Sequence, residues 1–244
     1  MTPPHRRTLP VLPACGIALT LLTLLGASAC TQNKPPAPAT ATAPALTTPQ
    51  AELLALTRFT NYRRGSSQVT ADIPVQGHVA RLTGRLDWRN GTGLAILQSG
   101  DGTLEATRNL LRWNRTTVSM RRNWTDPLPA RPPRDDWNEH PLAAQASAID
   151  TTLLLLLNLA TDRPDNAQLL LHSGARRLGD EKVTGVPVTV FAGPSATTPQ
   201  GSAREAARTT PGRTRYWIDE DARLRRFSAR LGGTTDWLVA TFPT

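Results

Sequence analysis

Between His78 and Trp88 the chain alternates strictly. Ala80, Leu82, Gly84, Leu86 and Trp88 fall on one side, while Val79, Arg81, Thr83, Arg85 and Asp87 fall on the other. A period of two with one apolar and one mostly polar face predicts a half-buried antiparallel strand. Asn90-Gly91 follows, the pair that best fits a two-residue hairpin turn, and Leu94, Ile96 and Leu97 continue into a partner strand. After the turn at Ser99 to Gly102, Leu110–Trp113 and Thr116–Met120 predict a further hairpin, so this half of the domain reads as a meander of strands.

The pattern then changes. A helix is expected from Leu142 to Ala160, opened by His140-Pro141 and containing five consecutive leucines, Leu153 to Leu157. A helix apolar all round must be covered on more than one side. Two readings of the leucines stand: plain core packing, or the wall of an apolar ligand cavity. A shorter helix is expected with Asp165 as its N-cap, ending before Gly174. Strands return at Arg176–Val183 and Val186–Phe191, with Pro187 expected at an edge or irregular position. A polar excursion from Gly193 to Gly212 follows, then Thr214–Asp219, a turn at Glu220-Asp221-Ala222, Arg223–Ser228 and a last strand, Trp237–Phe242.

The amino terminus has another organisation. His5, Arg6 and Arg7 precede a mostly apolar segment from Val11 to Leu25 and the small residues Ala27-Ser28-Ala29, the three parts of an export signal. Cys30 comes next and resembles the lipobox cysteine of bacterial lipoproteins, which receives a diacylglyceryl group; Ala27 stands where that pattern usually has Leu. Ordinary secretion after Ala29 is the alternative, and Pro13 with the short apolar run weighs against an uncleaved membrane helix, which needs about 20 apolar residues. Arg6-Arg7 also partly resembles a twin-arginine signal, so the general secretory and twin-arginine routes both stay open. Residues 1–29 are expected to be a signal peptide and 30–50 a lipidated cysteine with a disordered Pro/Ala/Thr tether. Residues 51–244 are expected to form a single domain.

Cysteine usage agrees with export. Cys15 would leave with the signal, so Cys30 would be the only thiol of the mature chain, and neither an intrachain disulfide nor a multi-thiolate metal site could form. Two acyl chains on Cys30 would meet the requirement for stable anchoring.

Charge refines the choice of partners. The 244 residues carry 28 Lys and Arg against 19 Asp and Glu, a net charge of +9, and only Lys34 and Lys182 are lysines. No nucleic-acid motif or basic-aromatic cluster accompanies the arginines, so no nucleic-acid partner is expected. Anionic lipid headgroups and cell-wall polymers fit an exported arginine-rich domain, and so does a surface whose arginines only solvate it. Catalytic patterns are absent: no G-x-S-x-G, H-E-x-x-H or phosphate loop occurs. His78, His140 and His172 fall on three separate elements, and Asp135-Asp136 and Asp219-Glu220-Asp221 lie in loops or turns. No enzyme activity, metal or cofactor is expected.

The closing hairpin carries a family resemblance. Tyr216-Trp217-Ile218-Asp219-Glu220-Asp221-Ala222-Arg223-Leu224-Arg225-Arg226 is similar to a hairpin of actinobacterial LolA-like lipoproteins, including the LppX/LprG group, and Lys182-Val183-Thr184-Gly185-Val186 resembles its lead-in strand. Ala222 departs from the pattern, where glycine is common. The resemblance implies an α+β fold, a strongly curved antiparallel half-barrel sheet with helices on its concave side, and acylated lipids as the bound class. It makes the chain an anchored, monomeric envelope lipoprotein with a lipid or glycolipid ligand. Cys30 is the lipidation site, and Leu153, Leu156, Leu157, Leu82, Leu86 and Trp88 are the ligand-cavity candidates. The alternative is a non-enzymatic interaction or sensor lipoprotein on the same scaffold, engaging an envelope protein or an anionic surface.

Overall fold

A computed structural model describes residues 44–100, 107–144, 146–194, 212–232 and 236–243. The leader, Cys30 and most of the tether therefore lie outside the described residues, as does nearly all of the excursion between Gly193 and Gly212. Residues 41–244 form one compact unit.

In chain order the elements are α1 (Thr48–Arg64), β1 (Ser66–Val75), β2 (His78–Asp87), β3 (Thr92–Ser99), β4 (Thr107–Trp113), β5 (Thr117–Arg121), β6 (Asn138–Pro141), α2 (Ala148–Asn158), α3 (Ala167–His172), β7 (Arg176–Val183), β8 (Val186–Ala192), β9 (Thr214–Ile218), β10 (Leu224–Arg230) and β11 (Trp237–Thr241). The strands make one antiparallel sheet in the order β6-β5-β4-β3-β2-β1-β11-β10-β9-β8-β7. The sheet is curved and open, with the helices on its concave side, which is the fold class expected from the sequence.

The alternation that predicts β2 also decides its faces. Ala80, Leu82, Leu86 and Trp88 join the core with Val69, Ala71 and Ile73 of β1, Leu97 of β3, Leu111 and Trp113 of β4, and Phe227, Leu238 and Ala240 of β10 and β11. Leu153, Leu156 and Leu157 of α2 and Ala51 and Leu54 of α1 complete it from the helix side. Gly93 makes this packing possible: a Cβ there would meet the Trp113 ring at 2.1 Å, so the indole lies flat across bare backbone. Trp88 adds a polar tie, its Nε1 donating to the carbonyl of Leu156 at 3.0 Å and satisfying a helix-end acceptor that burial would otherwise orphan.

α1 is missing from the sequence expectations, and its burial explains why. Its inward positions are Ala51, Leu54, Ala55, Thr57 and Asn61, a helical spacing filled mostly by small or polar residues. The stop is a left-handed Gly65 (φ 81°), and the start has Pro49 in the first turn with the Gln50 side chain accepting from the Thr47 amide at 3.0 Å. β1 likewise went unread, although Val69, Ala71 and Ile73 alternate inward along it. The expected start of the domain at residue 51 moves earlier, because Ala45 bridges to Arg176 and Leu46 is buried.

Three other boundaries shift. The helix expected from Leu142 is only Ala148–Asn158, since Asn138–Pro141 pairs with β5 and Ser147 caps α2 by accepting from the Asp150 amide at 2.9 Å. The short helix is capped by Asn166, not Asp165. Pro187 lies on an interior strand, but the pairing of β8 with β9 begins at Thr189, so its missing N–H costs that ladder nothing.

The β9–β10 turn is held by a buried ion pair. Arg225 Nη2 lies 2.7 Å from Asp219 Oδ2, both side chains being only 5–6% exposed. Asp219 Oδ1 also accepts from the Asp221 and Arg223 amides at 3.1 and 2.9 Å, which fixes Ala222 in the left-handed region (φ 57°). Arg64 lies close to this pair, and burial first, then the like charges of Arg225 and Arg223, lower its pKa from the ordinary guanidinium value. Asp219→Ala would leave Arg225 buried without its counter-charge. We expect a loss of about 3–5 kcal/mol in urea unfolding, largely regained by the apolar pair Asp219→Leu/Arg225→Met; a loss under about 1 kcal/mol would show that the turn does not depend on the pair.

Candidate functional site

The helices cover only part of the concave face. Between α1, the end of α2, α3 and the starts of β9 and β10 lies a hollow of about 570 Å³. Its apolar wall is Leu54, Leu155, Leu159, Leu169, Leu170, Pro194, Tyr216 and Phe227, and its rim is Thr57, Arg58, Asn158, Asp165, Asn166, Ser173 and Thr214.

Each wall has a local cause. Tyr216 and Phe227 pair directly across β9 and β10 and stack with ring centroids 5.2 Å apart. Gly193 lets this corner close, since a Cβ there would lie 2.1 Å from Thr214 Oγ1 and 2.9 Å from the Tyr216 ring. α3 has no buried residue, and Leu169 is 69% exposed, so this helix forms the thin outer wall.

The rim is tied by hydrogen bonds. Arg58 donates from Nε to the Asn158 carbonyl at 2.9 Å and pairs through Nη1 with Asp165 Oδ1 at 2.9 Å. The Asp165 amide donates to the Ala55 carbonyl at 3.0 Å, and Asn61 Nδ2 to the Leu159 carbonyl at 2.8 Å. A guanidinium thus stands where an apolar cavity meets water. Both members of the Arg58–Asp165 pair are about one-third exposed, so its contribution to stability is small.

All six sequence candidates sit together in the packed core. Leu82, Leu153 and Leu156 are fully buried, Leu86 and Leu157 1% exposed, and Trp88 2%. None of them lines the 570 Å³ hollow. From the leucine run it is Leu155, on the side of α2 turned from the sheet, that does. The remaining wall comes from residues the sequence reading assigned no ligand role. Tyr216 and Phe227 lie on strands the sequence did reveal, whereas Leu54 and Arg58 required knowledge of α1.

Other chemistry is sparse. Among the described residues no group of three or more His, Cys, Asp or Glu is placed to hold a metal ion. His140 Nε2 approaches Asp150 Oδ1 at 4.0 Å, at the start of α2. Asp219, one of the adjacent carboxylates, is consumed by Arg225. A second hollow of about 470 Å³ is lined by Arg85, Arg112, Ser119 and Glu139 along one cross-strand row, by Pro132, and by the core-facing Trp113 and Leu86, the latter one of the six candidates.

No protein-family model matches the chain, and no curated protein matches it. Among solved structures it is similar to the crystal structure of LprF from Mycobacterium bovis, at 14% identity and a TM-score of 0.42, over 82% of this chain and 94% of that one. At this identity and score the likeness carries no ligand or activity over to this chain.

Tyr216 reports on the hollow. Burial is the first cause raising its hydroxyl above the ordinary value of 10.0; a hydrogen bond from the Thr214 side chain and the charge of Arg58 act the other way. The neutral phenol is therefore the form the folded state favours. Its contribution is fully present below the unfolded-state pKa near 10 and is lost as pH rises through the higher folded value. In a Tyr62→Phe background the phenolate absorbance should appear above the ordinary range, with stability falling over the same interval. A midpoint at the ordinary value would mean that water already fills the corner.

Proposed function

We propose that this chain is an exported lipoprotein, anchored at the extracytoplasmic face of the cell membrane through Cys30, that holds or carries an acyl-chain ligand between α1, α2, α3 and the β9–β10 corner. One observation carries the reading: an apolar hollow of about 570 Å³ beside the leucine helix with a charged rim at its mouth. Its volume falls within the roughly 300–1,000 Å³ of small-molecule sites. Each methylene entering such a wall contributes about 0.8 kcal/mol, so affinity can come from chain length without a motif. Arg58 suits an anionic headgroup, provided it exchanges Asp165 for the ligand. The leader pattern, Cys30 and the Pro/Ala/Thr segment support the anchored, exported part of the reading.

Two substitutions one residue apart separate cavity from core. Leu155→Arg should stay folded, because that side chain borders the hollow, and should lower binding of a labelled fatty acid or phospholipid by about tenfold or more. Leu156→Arg should unfold the domain, because its position is fully buried. Mass spectrometry of lipids co-purifying with residues 41–244 should find acyl lipids in the first place. A lipid-free domain that takes up neither probe leaves the interaction or sensor reading instead.

Anchoring is tested on the whole chain. Cys30→Ala should move the protein out of the membrane fraction after a high-salt wash, and unchanged retention would count against acylation.

A further inference from the structure

The convex face has a feature the cavity does not use. Trp237 begins β11 and faces outward, since Leu238 and Ala240 on either side of that alternation are buried in the core. Two guanidiniums stack on its indole, Arg215 at 4.5 Å and Arg230 at 4.9 Å from the ring centroid. Arg213 joins them, its Nη2 lying 3.4 Å from the Arg230 carbonyl. None of the three pairs with a carboxylate among the described residues; Asp236, exposed and next to Trp237, is the acidic residue adjoining them in the chain.

The patch continues into an apolar tip. Arg230 pairs with Trp237, and the β1–β11 register, which sets Asp72 against Val239, brings Pro74 alongside Trp237 when extended by two residues. Pro74 pairs with Val79, which is 57% exposed on the same outer face. Gln76 (φ 49°) and Gly77 (φ 83°) between these strands make the two-residue turn with both central residues left-handed, and a Cβ on Gly77 would meet nothing within 4 Å. The tip therefore projects. On the neighbouring row Arg81 is neutralised by Asp72 at 2.8 Å, so the excess positive charge stays with the three arginines.

We propose that this patch, with Arg213, Arg215 and Arg230 around Trp237 and Val79 at the hairpin tip, docks the domain on an anionic lipid bilayer. The chemistry is that of a membrane interface: an amphipathic indole at headgroup level, a small aliphatic side chain beyond it, and planar guanidiniums whose free N–H edges fit phosphate. Stacking on the indole fixes the two forks before any phosphate arrives. The start of β9 belongs to both sites, Thr214 to the cavity rim and Arg213 and Arg215 to the patch. Docking would thus bring the cavity's end of the sheet close to the headgroups. The inference does not need the cavity to be filled.

Residues 41–244, which contain the whole compact unit and no leader or Cys30, serve for the test by co-sedimentation with vesicles. Binding to phosphatidylcholine mixed with anionic phosphatidylglycerol should exceed binding to phosphatidylcholine alone, and should fall with added salt. Arg215→Gln/Arg230→Gln should weaken it about 30-fold, roughly fivefold for each charge near the surface, and Val79→Asp should weaken it without lowering Tm. Arg122→Gln/Arg134→Gln, an equal loss of charge at exposed positions after β5, should change it less than about threefold. An equal loss in both double variants, no preference for anionic vesicles, or an unaffected Val79→Asp would overturn the proposal. So would arginine-dependent binding of soluble polyphosphate without vesicle binding. Leu155→Arg should bind vesicles normally, so failure of the cavity reading and failure of docking are separately visible.

Discussion

An open sheet of eleven strands presents one long apolar face to be covered, and the described residues supply three helices to cover it with. Every other feature follows from how that cover is distributed. α2 is the most apolar helix and takes the middle, where Leu153, Leu156 and Leu157 close against β1 and β2 and Trp88 ties down its last turn. α1 contributes a thinner stripe of Ala, Leu, Thr and Asn. Over β9 and β10 lie this thin stripe of α1 and, packed on α1, α3, a helix of six residues with no buried position. The hollow is where cover runs out.

The chemistry of the hollow's rim follows from the same shortage. α3 packs Ala167, Leu170 and Leu171 against the core without burying any of them fully, and polar ties hold its leading end: Arg58 to Asp165, and the Asp165 amide to the Ala55 carbonyl. Polar ties in partial contact with water are individually weak, whereas the contacts of α2 are extensive and dry. The wall that borders the hollow is thus the one fastened by exchangeable interactions, and the wall behind it is the one that cannot move without breaking the core.

How much of this was legible along the chain depends on side-chain size. Where inward residues are large, as in β2, periodicity revealed both element and face, and in β4, α2 and the closing hairpin it revealed the element alone. In α1 the inward positions are mostly small or polar, so the pattern has the right spacing but little hydrophobic amplitude, and the helix went unread; β1 went unread although Val69, Ala71 and Ile73 alternate with Gln68, Thr70 and Asp72. The candidate site suffered most from this. Its walls come from Leu54 and Arg58 of α1 as much as from the leucine run, so the sequence pointed to the correct helix and to the wrong side of it. Leu153, Leu156 and Leu157 are the most apolar-looking residues because they are core; Leu155, bordering the hollow, has the same identity and a different neighbour. The cation stacking on Trp237 depends on register between strands distant in sequence, and no local pattern encodes that.

The sheet never closes, so it ends in two edge strands, β6 and β7, the second met on its outer side among the described residues by the single bridge from Ala45 to Arg176. β6 is four residues long, exposed throughout and terminated by Pro141, while β7 carries Arg176, Arg177, Asp180, Glu181 and Lys182 in eight residues. Brevity, proline and dense charge are what discourage a strand from pairing with its counterpart on another molecule. A sheet edge that accepted a neighbour would offer that neighbour's far edge to the next copy in turn, and the pairing would propagate into a filament. Blunted edges break that chain of pairings at its first link.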